Sequence, residues 1–415
     1  MARKRVIYQS ESLFCAATGA YTNTNGNSSV SGNAGDPGCP GSGIQLHRVQ
    51  SINYGFDVPR QDVNEFGRLA RIDQVILESP TVSLDFTYYA ETGFNERTIG
   101  MTLENATSGT NPAANATISS ISGILNGKTD IKSYFIRTVT EGKDEQNAST
   151  EGDEPQASII AIGNASITSY SFEAAVGSFP TVSVSAEGLN MTVLARPKKI
   201  NDSGSGTALT AATVNQETGA NQNDKFVLEP SVSAMSGGAA LNGNALVSTL
   251  PSALRPGDIV FTNKLLDGDS STDQDSALLE GVDTSELKIQ SVSVSVDLGR
   301  EDLLKLGSKF AFSKEVVYPV TANMTIEASI SDMISFDLAN LVANDSSTYT
   351  AGFYIKQPGS AKQALGYRIV GAKIDSEALS SSIGDNKTIT FNMTAQVGRP
   401  ADNTAGLFIQ RGDSS

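Results

Sequence analysis

From Lys288 to Arg300 the chain alternates without a break. Val292, Val294 and Val296 fall on one side, and Ser291, Ser293 and Ser295 on the other. Side chains of a strand point alternately to its two faces, so this stretch predicts a strand with one dry face and one small, polar, uncharged face. Each fully buried valine contributes roughly 1.5–3 kcal/mol. A one-residue slip would expose all three, which sets the register. Next comes Glu301-Asp-Leu-Leu-Lys-Leu306 and then Gly307. This pattern predicts a short helix with acidic residues at its positive end and a glycine stop.

The same pattern occurs earlier. Arg48-Val-Gln-Ser-Ile-Asn-Tyr-Gly-Phe-Asp-Val-Pro-Arg60 aligns with 288–300 without a gap at an offset of 240 (290 − 50). Ile52, Tyr54 and Phe56 take the apolar side, and Ser51, Asn53 and Gly55 the small one. Asp57 falls on Asp297, Arg60 on Arg300 and Asp62 on Asp302; Leu84 and Phe86 fall on Met324 and Ile326. A second pair of blocks, Asn164–Ser169 and Gly371–Ser376, aligns at an offset of 207 (374 − 167), with Thr181–Val184 meeting Thr388–Phe391. Two blocks in the same order with matching alternation indicate an internal duplication whose first copy carries extra residues between them.

The expected organisation is a first domain over 1–198, a linker or interaction arm over 199–225, and a second domain over 226–415. The first domain has a strand near Arg5–Tyr8, a long Asn/Ser/Gly loop over 21–43 and a strand over Ser133–Thr140. An acidic, turn-rich insertion over 141–156 precedes strands over Ala157–Ala165 and Thr181–Val193. In the second, Arg255–Thr262 reads as a turn entering a strand, and 266–275 as an acidic loop. Tyr349–Lys356, Ala364–Ile374 and Lys387–Val397 read as closing strands, and the tail from Arg399 as polar and extended.

Composition narrows the class. Ser, Thr, Asn, Gly and Val dominate, tryptophan is absent, and long amphipathic helical patterns are missing, which predicts an all-β fold rich in turns. No apolar run is long enough to span a bilayer. The basic start, Met1-Ala-Arg-Lys-Arg, has no apolar core behind it, so no signal peptide is expected and use from the cytoplasm is the simplest expectation. The net charge of −15 argues against a partner held by a basic surface, including tightly bound nucleic acid. It fits solubility alone, and it also fits a wall past which a polyanion slides. Cys15 and Cys39 leave two readings, a structural disulfide or, favoured in a reducing compartment, a pair of free thiols. With no CxxC and a single histidine, His47, neither a metal centre nor a cofactor is expected.

The Gln-Ser strand entering Asp297-Leu-Gly-Arg-Glu301, the later Val316-Val-Tyr-Pro-Val-Thr-Ala-Asn-Met-Thr-Ile-Glu-Ala328, and Ile167–Val184 resemble the tail tube (major tail) proteins of long-tailed bacteriophages. The resemblance covers about half of the chain and lies in order and repetition rather than in any single motif. It implies two tandem tail-tube-type β-sandwich or barrel domains, each with a short helix, joining neighbours into a ring around a channel. A duplicated member is expected to form a homotrimeric, pseudo-hexameric ring, stacked into a tube for DNA ejection, in the virion tail, after assembly in the host cytoplasm. Implied partners are further copies of the chain, a tape-measure protein, a tail terminator and distal tail or baseplate proteins. Viral DNA passes without specific binding; no membrane is involved, and a contractile sheath is left open.

On this reading Ser51, Asn53, Ser291, Ser293 and Ser295 line the lumen; the alternative is an outer or inter-domain face. Arg60 beside Asp57, and Arg300 beside Asp297, form ion pairs, either between subunits or within a domain. Arg411-Gly-Asp413 is a short match that carries no weight. No catalytic constellation is expected, because a serine triad would have to use His47 and no G-x-S-x-G elbow exists. The competing readings are a two-domain β-sandwich adhesin or decoration protein of a virion, and a tail terminator or hub ring.

Overall fold

The computed structural model describes residues 11–17, 44–78, 80–105, 119–125, 132–138, 158–194, 254–262, 287–304, 306, 311, 313–330, 349–356, 363–380, 388–399 and 405–411. The expected strand at Arg5–Tyr8, the loop over 21–43 with Cys39, the acidic segments 141–156 and 266–275, and the linker 199–225 lie outside them.

Strands dominate, as the composition predicts. The N-terminal half contributes β1 (Glu11–Ala17), β2 (Ile44–Gln45), β3 (Val49–Asp57), β4 (Arg60–Val63), β5 (Asp73–Ile76), β6 (Thr81–Tyr89), the helix α1 (Phe94–Ile99) and β7 (Leu103–Asn105). The helix α2 (Ser122–Leu125), β8 (Lys132–Thr138), β9 (Ser158–Ala175), β10 (Thr181–Gly188) and β11 (Asn190–Leu194) follow. The C-terminal half contributes β12 (Ile259–Thr262), entered through a 3-10 turn at Pro256–Asp258, then β13 (Leu287–Asp297), β14 (Arg300–Leu303), β15 (Ser313–Val316) and β16 (Val320–Ile330). It ends with β17 (Tyr349–Lys356), β18 (Gln363–Ser380), β19 (Thr388–Val397) and β20 (Gly406–Arg411).

One antiparallel wall runs through both halves in the order β18-β19-β16-β13-β9-β10-β6-β3. The two long strands, β9 and β18, pass from this wall into a second layer. There β9 pairs with β8 and β11, and β18 pairs with β17 and β20. Phe86 of the wall packs on Tyr134 of β8, with ring centroids 5.8 Å apart. Phe172 of β9 packs on Phe353 of β17 and Tyr367 of β18. A single apolar core therefore crosses between the halves, and Val292, Val294 and Val296 are buried within it. Leu84, Phe86, Met324 and Ile326 are buried as the alternation predicts.

The registers recur. Ser51 faces Thr87 as Ser291 faces Glu327, each just beyond an irregularity at Gln50 or Gln290. Each glutamine donates from Nε2 to the carbonyl two residues back, at 3.0 Å in both cases. Arg60 faces Ile76 as Arg300 faces Val316. Thr181 faces Glu173 as Thr388 faces Ser380. The bulge that shifts β9 against β10 at Ser185/Ala186 has its counterpart on β18 between Ile374 and Ser376.

Two expectations need correction. Residues 301–303, read as the start of a helix, instead form β14 together with Arg300 and are hydrogen-bonded to β15. Six residues are too few for a helix to persist on local propensity, and cross-strand pairing wins. The helices among the described residues are α1, closed by Gly100 in the left-handed region, and α2. The C-terminal tail contributes β20, whose Leu407, Phe408 and Ile409 are buried, rather than only polar extended chain. A polar flank concealed a short core strand.

Candidate functional site

The wall has two unlike faces. Alternation sends the apolar residues to the core and leaves Ser, Thr, Asn, Gln, Asp and Glu on the other side. All five residues expected to line a channel lie on this polar face. Ser51 and Asn53 of β3 stand opposite Thr87 and Asp85. Ser291, Ser293 and Ser295 of β13 stand between Glu327, Thr325 and Asn323 on one side and Ala175, Glu173 and Ser171 on the other. Short cross-strand bonds knit the face together. The hydroxyls of Ser51 and Thr87 meet at 2.6 Å, and Ser291 donates to Glu327 Oε2 at 3.0 Å. Thr325 donates to Asn392 Oδ1 at 2.9 Å, and Asn392 donates to Ser376 at 2.8 Å.

Charge on this face is of one sign over most of its width. Asp57, Asp85, Glu173, Asp297 and Glu327 belong to it, whereas β6, β9 from Ser169, β10, β16 and β19 contribute no Lys or Arg to it among the described residues. Lysines stand at its margins, at Lys288 and Lys373. Between those margins the surface is wetted by hydroxyls and amides and offers no Lys or Arg, among the described residues, for a phosphate to bind. At physiological salt its repulsion reaches about 8 Å.

Among the described residues each end of the wall has an open edge. Among the described residues β3 pairs only with β6, and the Ile374–Ser380 stretch of β18 only with β19. β3 carries the apolar pattern of β13, but its outcome differs: Tyr54 is 39% and Phe56 66% exposed, while Val294 is fully buried. The difference comes from position, since β13 is covered on both sides by β16 and β9 and β3 is terminal.

The two small hairpins show the same contrast. The β14–β15 hairpin sits against the N-terminal half. Arg300 donates from Nε to the Ile167 carbonyl at 3.2 Å and from a terminal nitrogen to the Ile124 carbonyl at 3.5 Å. Lys314 Nζ lies 2.6 Å from Glu187 and 3.4 Å from Asp302, with only 4% of its side chain exposed. The β4–β5 hairpin projects outward, with Arg60 and Asp57 exposed. Asp62 pairs with Arg71 at 3.1 Å, and Phe66 and Leu69 are fully exposed near its tip. The Arg71–Asp62 and Lys314–Glu187 pairs escape sequence reasoning; the latter joins residues 127 positions apart and has no local signature.

A second polar cluster is interior. Glu96 on α1 accepts from Tyr88 at 2.9 Å and from Tyr170 at 3.3 Å. Burial raises its carboxyl above the ordinary carboxylate range, against the opposing pull of its hydrogen bonds. His47 stacks on Phe94 at 4.2 Å, its Nδ1 lies 3.3 Å from Glu91, and its backbone exchanges hydrogen bonds with Asn95. These contacts make it a packing residue of the α1 junction. Cys15 is free and buried, and burial pushes its thiol up to about 11. Among the described residues no group of His, Cys, Asp and Glu could hold a metal ion, and no helix is long and apolar enough to cross a membrane.

No protein-family profile and no curated protein matches the sequence. Solved structures give distant similarities. One is the tail of an empty gene transfer agent (GTA) particle with C6 symmetry, at 13% identity over 28% of this chain and 84% of that one, with a TM-score of 0.20. Another is the SPP1 tail tube, at 13% identity over 49% of this chain and 88% of that one, with a TM-score of 0.25. The virion of a native GTA particle matches at 12% identity over 31% of this chain and 99% of that one, with a TM-score of 0.20.

Proposed function

We propose that copies of this chain close edge to edge into rings that stack as the tail tube of a long-tailed bacteriophage, a structural and non-enzymatic role. The observation that carries this reading is the wall itself. It has one face on the core, one hydroxylated and acidic face nearly free of cations and, among the described residues, an unpaired edge at each end. An open edge flanked by exposed Tyr54 and Phe56 is an aggregation hazard for a lone monomer, and closure into a barrel removes it.

The recurring registers support two tandem tube domains, about 1–198 and 226–415, joined by 199–225. On this reading β13 on β9 is the junction between domains within a chain, and β3 on β18 the equivalent junction between chains. Three chains then make a pseudo-hexameric ring, with Ser51, Asn53, Ser291, Ser293 and Ser295 facing the lumen. Stacked rings are heterologous assemblies that grow until capped, so tape-measure, terminator and distal tail proteins set their length and ends. DNA leaves the virion along a wall that does not bind it.

Electron microscopy of the purified protein tests the reading. Tubes with an axial pore and Ser293 on the inner wall are expected. A reconstruction without a pore, or with the serine face outside, overturns it. Rings that never stack would place the protein at a tail end instead, and monomers that bind cells would make it an adhesin.

A further inference from the structure

The two junctions of the proposed ring carry opposite charge arrangements, a feature that rests on the ring reading and goes beyond it. In the junction visible within the chain, the hairpin brings the cation and the sheet the anion. Lys314 of β15, beside Asp302 of β14, reaches Glu187 of β10, whose cross-strand neighbour on β9 is Ser166. The recurring registers identify the matching positions at the open edges. Gln74 stands where Lys314 does and Asp62 where Asp302 does; Thr394 replaces Glu187, and Lys373 replaces Ser166. At the open edges the hairpin therefore brings the anion, Asp62, and the sheet brings the cation, Lys373.

We propose that this reversal is a recognition code. The β4–β5 hairpin of one copy selects the β18–β19 edge of a second copy through Asp62 and Lys373, while Lys314 and Glu187 hold the β14–β15 hairpin to its own N-terminal half. The wrong combinations are penalised. A β4–β5 hairpin on the β9–β10 edge sets Asp62 against Glu187 with no lysine between them. A β14–β15 hairpin on the β18–β19 edge sets Lys314 against Lys373. Like charges brought together at an interface reject wrong partners more strongly than a correct pair adds affinity. The Asp62–Arg71 pair does not prevent exchange, because both side chains are about half exposed and such pairs are weak. The code makes N-terminal and C-terminal halves alternate around the ring, which a duplicated chain needs and a ring of identical domains does not.

The test is a charge-reversal cycle on the full-length protein with Lys373→Glu, Asp62→Lys and the double variant, read as the concentration at which assemblies sediment and show closed rings by negative stain. Both positions are exposed, so all three proteins should melt as the parent does. Each single variant should need about tenfold more protein to assemble, and the double variant should return to within about threefold of the parent. Single variants that assemble like the parent, or a double variant no better than the singles, overturn the code while leaving the tube standing. If the parent protein forms no ring at all, the ring reading itself has failed.

Discussion

The hydroxyls of Tyr170 on β9 and Tyr367 on β18 meet at 2.7 Å inside the core. Tyr170 also donates to Glu96, so its own acceptor site receives the Tyr367 proton, and the bond ties the two halves of the chain together. Tyr367→Phe removes only the terminal donor and should cost about 1 kcal/mol. Tyr170→Phe removes the centre of the relay and takes from Tyr367 the partner it meets there, so it should cost about 1–3 kcal/mol. Urea unfolding of both variants checks the order; equal losses would show that the relay does not run through Tyr170.

Glu96 makes stability depend on pH in a defined direction. Burial raises its carboxyl above the ordinary 4.5, so the folded chain keeps this proton to higher pH than the unfolded chain does. The associated stability is complete below about pH 4.5 and is lost as pH rises through the folded value. Glu96→Gln keeps an acceptor for Tyr88 and Tyr170 but has no proton to lose. Its stability relative to the parent should therefore grow between pH 4.5 and 7.5. Parallel pH profiles from denaturant titrations would refute the assignment.

Gly406 closes the start of β20 with φ +119°, and a Cβ there would lie 2.6 Å from Val397 Cγ2 and 2.9 Å from Ser119 Oγ. The backbone conformation and the crowding act in the same direction. Gly406→Ala should lose about 1–3 kcal/mol, seen as a lower melting temperature.

The open edges make a covalent prediction. Ser293 faces Glu173 across the internal junction, and the equivalent positions at the free edges are Asn53 and Ser380. Facing Cα atoms in an antiparallel pair lie about 4.5–5.5 Å apart, within disulfide range. Asn53→Cys with Ser380→Cys should yield linked dimers and trimers on a non-reducing gel after mild oxidation. Neither single variant should do so, and a double variant that runs only as monomer would reject this register.

Alternation alone determined the wall strands β3 and β13 and the two faces of each. The valines of β13, the polar serines opposite them and the echo of both near Ser51 are local patterns, and a strand displays them wherever it lies. The short Leu407–Ile409 core strand was hidden because three apolar residues in a polar tail have no period to read. Position along the wall was not legible either. Ile52, Tyr54 and Phe56 have the pattern of a buried strand, yet they stay partly open because β3 ends the sheet. Residues 300–303 became strand because β15 was there to pair with them. Lys314 found Glu187, and Glu96 found two tyrosines, across distances in the chain over which sequence carries no pairing signal. Periodicity encodes which side of a strand is dry; only the folded arrangement decides which edge is covered and which charges meet.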